Sequence, residues 1–228
     1  MEPVSKEFQG WLDMVTFWLY PDEQCKAGWF RARAKRLTSS RVAEAIGEHF
    51  YEADMTSERV ARQLVGLEKK IIPPEAMKRV QYGVDNEDKG RQWYEKTTGY
   101  SVVETGHAVP KWNTLLGGSP DGIVGTRGLL EIKCPQRMYP PLLRYMTDLE
   151  MGHKSDNFDH IYIGHYLQMQ TCMAIMGREW CDYVVFCIPE DKVFKQRIPF
   201  NKEAWDNKWY PKICEFIDNQ LKPLLSGG

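Results

Sequence analysis

The residues best suited to chemistry in this chain of 228 residues are two acids and a lysine: Asp121, Glu131 and Lys133. They stand in Ser119-Pro120-Asp121-Gly122 and, beyond a glycine-bounded turn, in Leu129-Leu130-Glu131-Ile132-Lys133, the pattern PD…ExK. Side chains alternate along a strand, so Glu131 and Lys133 share one face while Leu130 and Ile132 share the other. Two carboxylates suit a hard divalent cation such as Mg²⁺, which takes one or two protein carboxylates together with substrate phosphate. A neighbouring ammonium orients or polarises an attacking water, and the set is what metal-assisted hydrolysis of a phosphodiester requires. Taken alone, ExK more often marks a solvated strand face, and Pro-Asp-Gly is an ordinary turn. Their conjunction is the signal. A four-residue turn places Gly122 rather than Asp121 opposite Glu131, so a bulge or another loop register is expected.

The elements that must position these residues follow from periodicity and punctuation. Residues 1–20, with Phe8, Trp11, Leu12, Val15, Trp18 and Leu19, have helical spacing. Thr38, Ser39 and Ser40 are N-cap types for a helix running to about Phe50. A third helix is expected over Ser57–Glu68, stopping before Pro73-Pro74, and a fourth from Asp85 to Thr98 with Gly99 as its stop. Strands are expected at Val102–Val109, Leu115–Gly117, Gly122–Val124 and Leu129–Cys134. A helix over Ile161–Met176 carries a Met-rich stripe, read as core. A second hairpin pairs Tyr183–Ile188 with Val193–Phe200. Asn201 caps a last helix in which Pro211 predicts a kink. This order indicates one α/β domain.

Three further groups have two readings each. Glu87 clusters with Asp85 and Asp88, which a helix N-terminus alone explains. The segment from Trp29 to Ser40 mixes Arg31, Arg33, Lys35 and Arg36 with hydroxyls: either a phosphate site or a solvated basic face. Gln168 shares a helix face with His165 and Cys172, and by itself is merely a glutamine on a helix.

Lys and Arg total 30 against 31 Asp and Glu, a net charge of −1, so any grip on phosphate must come from local clustering. Six scattered cysteines with no CxxC pair argue against structural zinc or iron–sulfur sites and for reduced thiols. No apolar run spans a membrane. No basic-then-apolar leader is visible, so a cytoplasmic or host-cell intracellular protein that is not secreted is expected.

Trp29, Arg33 and Thr38-Ser39-Ser40, then Tyr82-Gly83 with Glu87, then Ser119-Pro120-Asp121-Gly122 with Leu130-Glu131-Ile132-Lys133-Cys134-Pro135, then Tyr166-Leu167-Gln168-Met169-Gln170, occur in an order that is itself specific. On these residues, from about Trp29 to Glu190, the chain resembles the lambda-type phage exonucleases, the YqaJ-like viral recombinase group of the PD-(D/E)xK nucleases. The resemblance implies a restriction-endonuclease-like α/β core, a central mixed sheet flanked by helices, in one domain over 1–228. Residues 1–25 and 50–80 are helical additions outside it. It also implies Mg²⁺, with Mn²⁺ as a substitute, held by Asp121, Glu131 and the Ile132 carbonyl. Lys133 positions or activates water, and Glu87 supports the site. Arg33, Thr38, Ser40, Ser119 and Gln168 surround the phosphates. Its reaction is 5′→3′ digestion of one strand at double-stranded DNA ends for viral or phage recombination. A single-strand annealing protein is the implied partner, and a homotrimer the implied assembly. An endonuclease of the same fold and a non-catalytic DNA-binding scaffold are the alternatives. The joint presence of Asp121, Glu131 and Lys133 argues against the scaffold.

Overall fold

The computed structural model describes residues 17–22, 24, 26–48, 55–153 and 157–227. The expected first helix lies outside them up to residue 16. Phe17–Tyr20 is instead a strand, β1, alternating buried Phe17 with exposed Trp18. Next come α1 (Ala27–Arg33), β2 (Leu37–Thr38), a 3₁₀ turn (Ser39–Arg41), α2 (Val42–Ala45) and α3 (Ser57–Leu64). Two of these helices are shorter than the sequence predicts. Gly47 (φ 73°) and Gly66 (φ 82°), in left-handed conformations, follow their ends. Thr38 flanks the 3₁₀ turn without a side-chain cap bond, its hydroxyl lying 3.3 Å from that of Ser40.

Helix α4 spans Pro74–Thr98 and begins eleven residues before the expected Asp85. The third helix stops before Pro73-Pro74, as expected, and Pro74 also starts the fourth: a proline at the first helical position loses no hydrogen bond. Gly99, at φ 73°, closes it as expected. The single strand expected over Val102–Val109 is two, β3 (Val102–Val103) and β4 (His107–Pro110). Then follow β5 (Leu116–Gly117), β6 (Gly122–Val124), β7 (Gly128–Lys133), α5 (Pro140–Glu150), α6 (Ile163–Met176), β8 (Trp180–Cys187) and β9 (Lys192–Pro199). The C-terminal helical run is α7 (Lys202–Ala204), a π turn (Trp205–Trp209), α8 (Tyr210–Phe216), a second π turn (Ile217–Leu221) and α9 (Lys222–Ser226). Asn201 caps it by accepting from the Ala204 N–H at 2.9 Å. Each π turn directly precedes a segment with a proline near its start, Pro211 and Pro223. The wider turns accommodate the carbonyls a proline ring would strike, so the α-helical pattern is interrupted by a π turn just before Pro211, where the sequence predicts a disturbance.

The central sheet is mixed, in the order β3-β6-β7-β8-β9, with only β7 and β8 parallel; helices flank it. Two small ribbons, β1 with β4 and β2 with β5, lie beside it. Strand β7 divides the core. Leu130 and Ile132 pack with Tyr94 of α4, while Leu129 belongs to the larger cluster with Leu167, Met169 and Met173 of α6. The methionine stripe is core, as its spacing predicts.

Candidate active site

The register question resolves through the turn. It contains three residues, not four, so Val124 pairs with Gly128 and Gly122 with Leu130, bringing Asp121 level with Glu131. Gly125 enters the turn at φ 55°, a conformation that favours glycine. Buried Arg178 donates to the carbonyls of Gly125 and Thr126, fastening the turn from below. The Asp121 N–H bonds to the Leu130 carbonyl at 3.1 Å, and its carboxylate Oδ2 accepts from the Ile132 N–H at 2.6 Å.

Glu131 and Lys133 do share a face, but it is not a solvated one. Glu131 is 1% exposed, beneath α6. Its Oε1 accepts from Lys133 Nζ at 2.5 Å and from Gln168 Nε2 at 2.6 Å. Its Oε2 is buried with no hydrogen-bond partner. A buried carboxylate oxygen left bare is costly unless something positive completes it, so the donor set fits a cation at this oxygen.

Glu87 reaches the same place from the other face of the sheet. It sits in mid-helix on α4, so the helix N-terminus does not account for it. Helix α4 closes tightly on the sheet at Gly90, one turn further on: a Cβ there would lie 2.8 Å from Ile132 Cγ2. Arg91 stands one turn after Glu87, 3.8 Å from its carboxylate, and also pairs with Asp88 and Glu104.

The electrostatics are those of crowded acids. Burial first, then the charge of Asp121, pushes the Glu131 carboxyl up to about 8. Burial, then Asp121 and Glu131, pushes Glu87 up to about 8 as well. Burial also raises Asp121 against the pull of Lys133, the Ile132 N–H and Arg91. Burial disfavours the Lys133 ammonium, but Glu131 and Asp121 outweigh that and hold it protonated well above the ordinary lysine value. Among the described residues no group of three or more His, Cys, Asp or Glu closes into a metal cage. Two carboxylates with room for water and phosphate are the pattern Mg²⁺ uses.

The phosphate candidates divide. Gln168 joins the acids directly, lying 3.5 Å from Lys133 through Oε1. Ser119, two residues before Asp121, is buried: its hydroxyl accepts from Trp29 Nε1 at 2.9 Å and lies 3.0 Å from His107 Nδ1. Arg33 stacks over the Trp29 ring, 4.0 Å from its centroid. Thr38 is buried beside Gly117 through the β2–β5 pairing, whereas Ser40 is exposed. Arg33, Trp29, His107 and Ser119 thus form one linked group leading to Asp121. Among the described residues no hydrogen bond joins Thr38 or Ser40 to the acids.

Ile132, Lys133 and Glu87 line a cleft of about 1120 Å³, together with Arg79, Arg137, Tyr139, Tyr162 and His165. Sequence reasoning passed over His107, Arg91 and this aromatic group. A histidine inside the apolar strand His107-Ala108-Val109 and an acid–arginine pair at i, i+4 were signals that could have found the first two.

Residues 28–179 match the family model of the YqaJ-like viral recombinase domain. The chain is similar to an alkaline exonuclease (LHK-Exo) from Laribacter hongkongensis, at 27% identity and TM-score 0.65, covering 89% of this chain and 97% of that one. The same enzyme in complex with dAMP gives 27% identity and TM-score 0.67, over 88% and 95%. A phage related exonuclease from Haemophilus somnus 129PT shares the fold at 17% identity and TM-score 0.56, over 84% and 96%. No curated protein sequence matches the chain. Among the described residues no helix is long and apolar enough to cross a membrane.

Proposed function

The chain belongs to the YqaJ-like viral recombinase domain family, and from that membership we propose a divalent-metal-dependent exonuclease that digests double-stranded DNA from its ends, 5′→3′, in phage or viral recombination. DNA hydrolysis is the family's chemistry. The single observation that carries the metal-dependent mechanism is the buried, partnerless Oε2 of Glu131, level with Asp121 and beside Lys133. Similarity to an alkaline exonuclease crystallised with dAMP supports a nucleotide-releasing reaction.

Asp121 and Glu131, with the Ile132 carbonyl, are the residues that would hold the cation, Mg²⁺ or Mn²⁺. When bound, a divalent ion supplies neutralisation of charge on the phosphoryl oxygens. The protein's own residues do the rest. Gln168 and Lys133 occupy Oε1 of Glu131 and leave Oε2 as the oxygen that would take the cation. Lys133, beside Glu131 and Asp121, positions or activates the attacking water and lends positive charge to the developing negative charge. Water oxygen bonds to phosphorus as the P–O3′ bond breaks; the water gives up a proton to solvent and O3′ takes one from solvent, leaving a 3′-hydroxyl on the released nucleotide and a 5′-phosphate on the shortened strand. Glu87 supports the water from α4. Arg33, Thr38, Ser40 and Ser119 are proposed as the phosphate side of the site. Arg79 and Arg137 add positive charge to the cleft wall. One nuclease domain over 1–228, an annealing-protein partner and a homotrimer belong to the same reading.

The test is digestion of linear duplex labelled at the 5′ or the 3′ end, with and without Mg²⁺, beside a covalently closed circle. The expected result is Mg²⁺-dependent release of the 5′ label first, an intact circle, and abolished cleavage with retained DNA binding in Lys133→Ala. Cleavage of the circle would identify an endonuclease; undiminished turnover by Lys133→Ala would sink the assignment.

A further inference from the structure

The cleft holds a feature that metal chemistry does not use. Tyr162, the residue preceding α6, is 39% exposed, unusual for a large ring at the mouth of a cavity. Its ring meets Tyr139 edge-on, with centroids 5.1 Å apart at 72°, and His165 at 5.8 Å and 89°. Tyr139 and His165 complete the triangle at 5.6 Å. The arrangement is fixed from beneath, because His165 Nδ1 lies 2.8 Å from the Tyr183 hydroxyl on β8. All three rings line the cleft that contains Lys133. From α4 the same cleft is lined by Val80 and Val84, 54% and 45% exposed, an aliphatic patch between Arg79 and Glu87.

A phosphodiester at Lys133 brings a base on either side of it, and a base must lie somewhere. A flat π-surface in a cleft that also carries aliphatic side chains is complementary to a flat, polarizable ring, and stacking on a ring face does not read the hydrogen-bonding edge of a base. We propose that Tyr162, braced by Tyr139 and His165, is a stacking platform for the nucleobase next to the scissile phosphate, accepting any of the four bases. This inference rests on the DNA-hydrolysis reading and adds to it a base subsite.

Stacking on an aromatic side chain changes affinity by roughly tenfold to a hundredfold per base. The test uses the full chain and pairs of short duplexes, identical except that the first or second nucleotide from the 5′ end is either normal or an abasic tetrahydrofuran. Affinities are measured in EDTA, where no metal supports cleavage, and turnover is measured separately in Mg²⁺. The readout is the ratio of affinities for base-bearing and abasic DNA, in which losses common to both cancel. The wild-type protein and Tyr162→Phe should favour the base by about tenfold or more at one of the two positions. In Tyr162→Ala the ratio should fall toward one, with Tyr162→Leu serving if the alanine variant does not fold. A wild-type ratio near one at both positions, or an unchanged ratio without the aromatic ring, overturns the proposal. A preserved ratio with no digestion in Mg²⁺ would instead defeat the nuclease reading and leave the base site standing.

Discussion

The crowded acids make a quantitative prediction about pH and metal together. Glu131 ordinarily titrates near 4.5 and is pushed up to about 8 in the fold, as is Glu87. For a carboxyl raised in this way, the unfolded chain loses its proton first. Stability from the group is therefore full below 4.5 and is lost as pH rises toward 8. The two acids repel each other, so they are counted as one titrating unit. Its slope is about 1.4 kcal/mol per pH unit, hence about 3 kcal/mol between pH 6 and 8. In a protein of this size that moves the melting temperature by roughly 5–10 °C. Cation binding needs the ionised carboxylates, so Mg²⁺ affinity should rise with pH over the same interval, and stabilisation with it. The assay is thermal unfolding at pH 6, 7 and 8, in EDTA and in excess Mg²⁺, for the wild-type chain and Glu131→Gln. In EDTA the wild type should lose melting temperature relative to the variant as pH rises. The Mg²⁺-induced increase should grow from pH 6 to 8 and be largely absent in the variant. An increase of the same size at pH 6 and pH 8 refutes the reasoning.

Replacing Gln168 by Ala removes a hydrogen bond to an ionised, buried oxygen and should weaken Mg²⁺ binding by about tenfold to a hundredfold in calorimetry; unaltered affinity would show that Gln168 does not orient Glu131. Gly90→Ala gains about 1 kcal/mol of helix propensity but forces a methyl against Ile132, which costs about 1–3 kcal/mol. Its turnover should fall more than its stability as α4 and Glu87 are displaced, and kinetics beside a urea melt would separate the two. His107 is held neutral by burial and by Arg33 and Arg36, its pKa lowered to about 3, so its contribution is complete above about 6.5 and is lost as pH falls. At pH 5 the loss is about 2 kcal/mol, and His107→Gln should flatten the acid side of the pH–stability curve.

The sequence displayed the chemistry better than it displayed the supports. Asp121, Glu131 and Lys133 stood out because an alternating strand leaves an acid and a base on one face, and β7 keeps that alternation. Gly99, Gly177 and Asn201 announced helix ends through local geometry, which needs no tertiary context. The start of the long helix at Pro74 was missed because proline both ends and begins helices, and Pro73-Pro74 was read only as a stop. The turn length between β6 and β7 was equally ambiguous, since Arg178, some fifty residues away, holds it from outside the hairpin. Glu87 looked like a helix-terminus acid because its helix looked a dozen residues long rather than 25. The aromatic group was invisible for a similar reason: Tyr139 and Tyr162 precede separate helices and meet only when the sheet forms.

The one parallel pairing of the central sheet, β7 with β8, predicts when the site closes during folding. Asp121 and Glu131 meet within a hairpin, whose ends join in microseconds. Strand β8 reaches β7 only after the chain has passed through α5 and α6, a non-local closure that comes later. The acids are thus face to face while water still screens them, and the expensive step, drying Glu131 beneath α6, is deferred to the docking of that helix. On this ordering the reactive pocket loses its water only when α6 docks on the sheet, after the hairpin that carries the acids has formed.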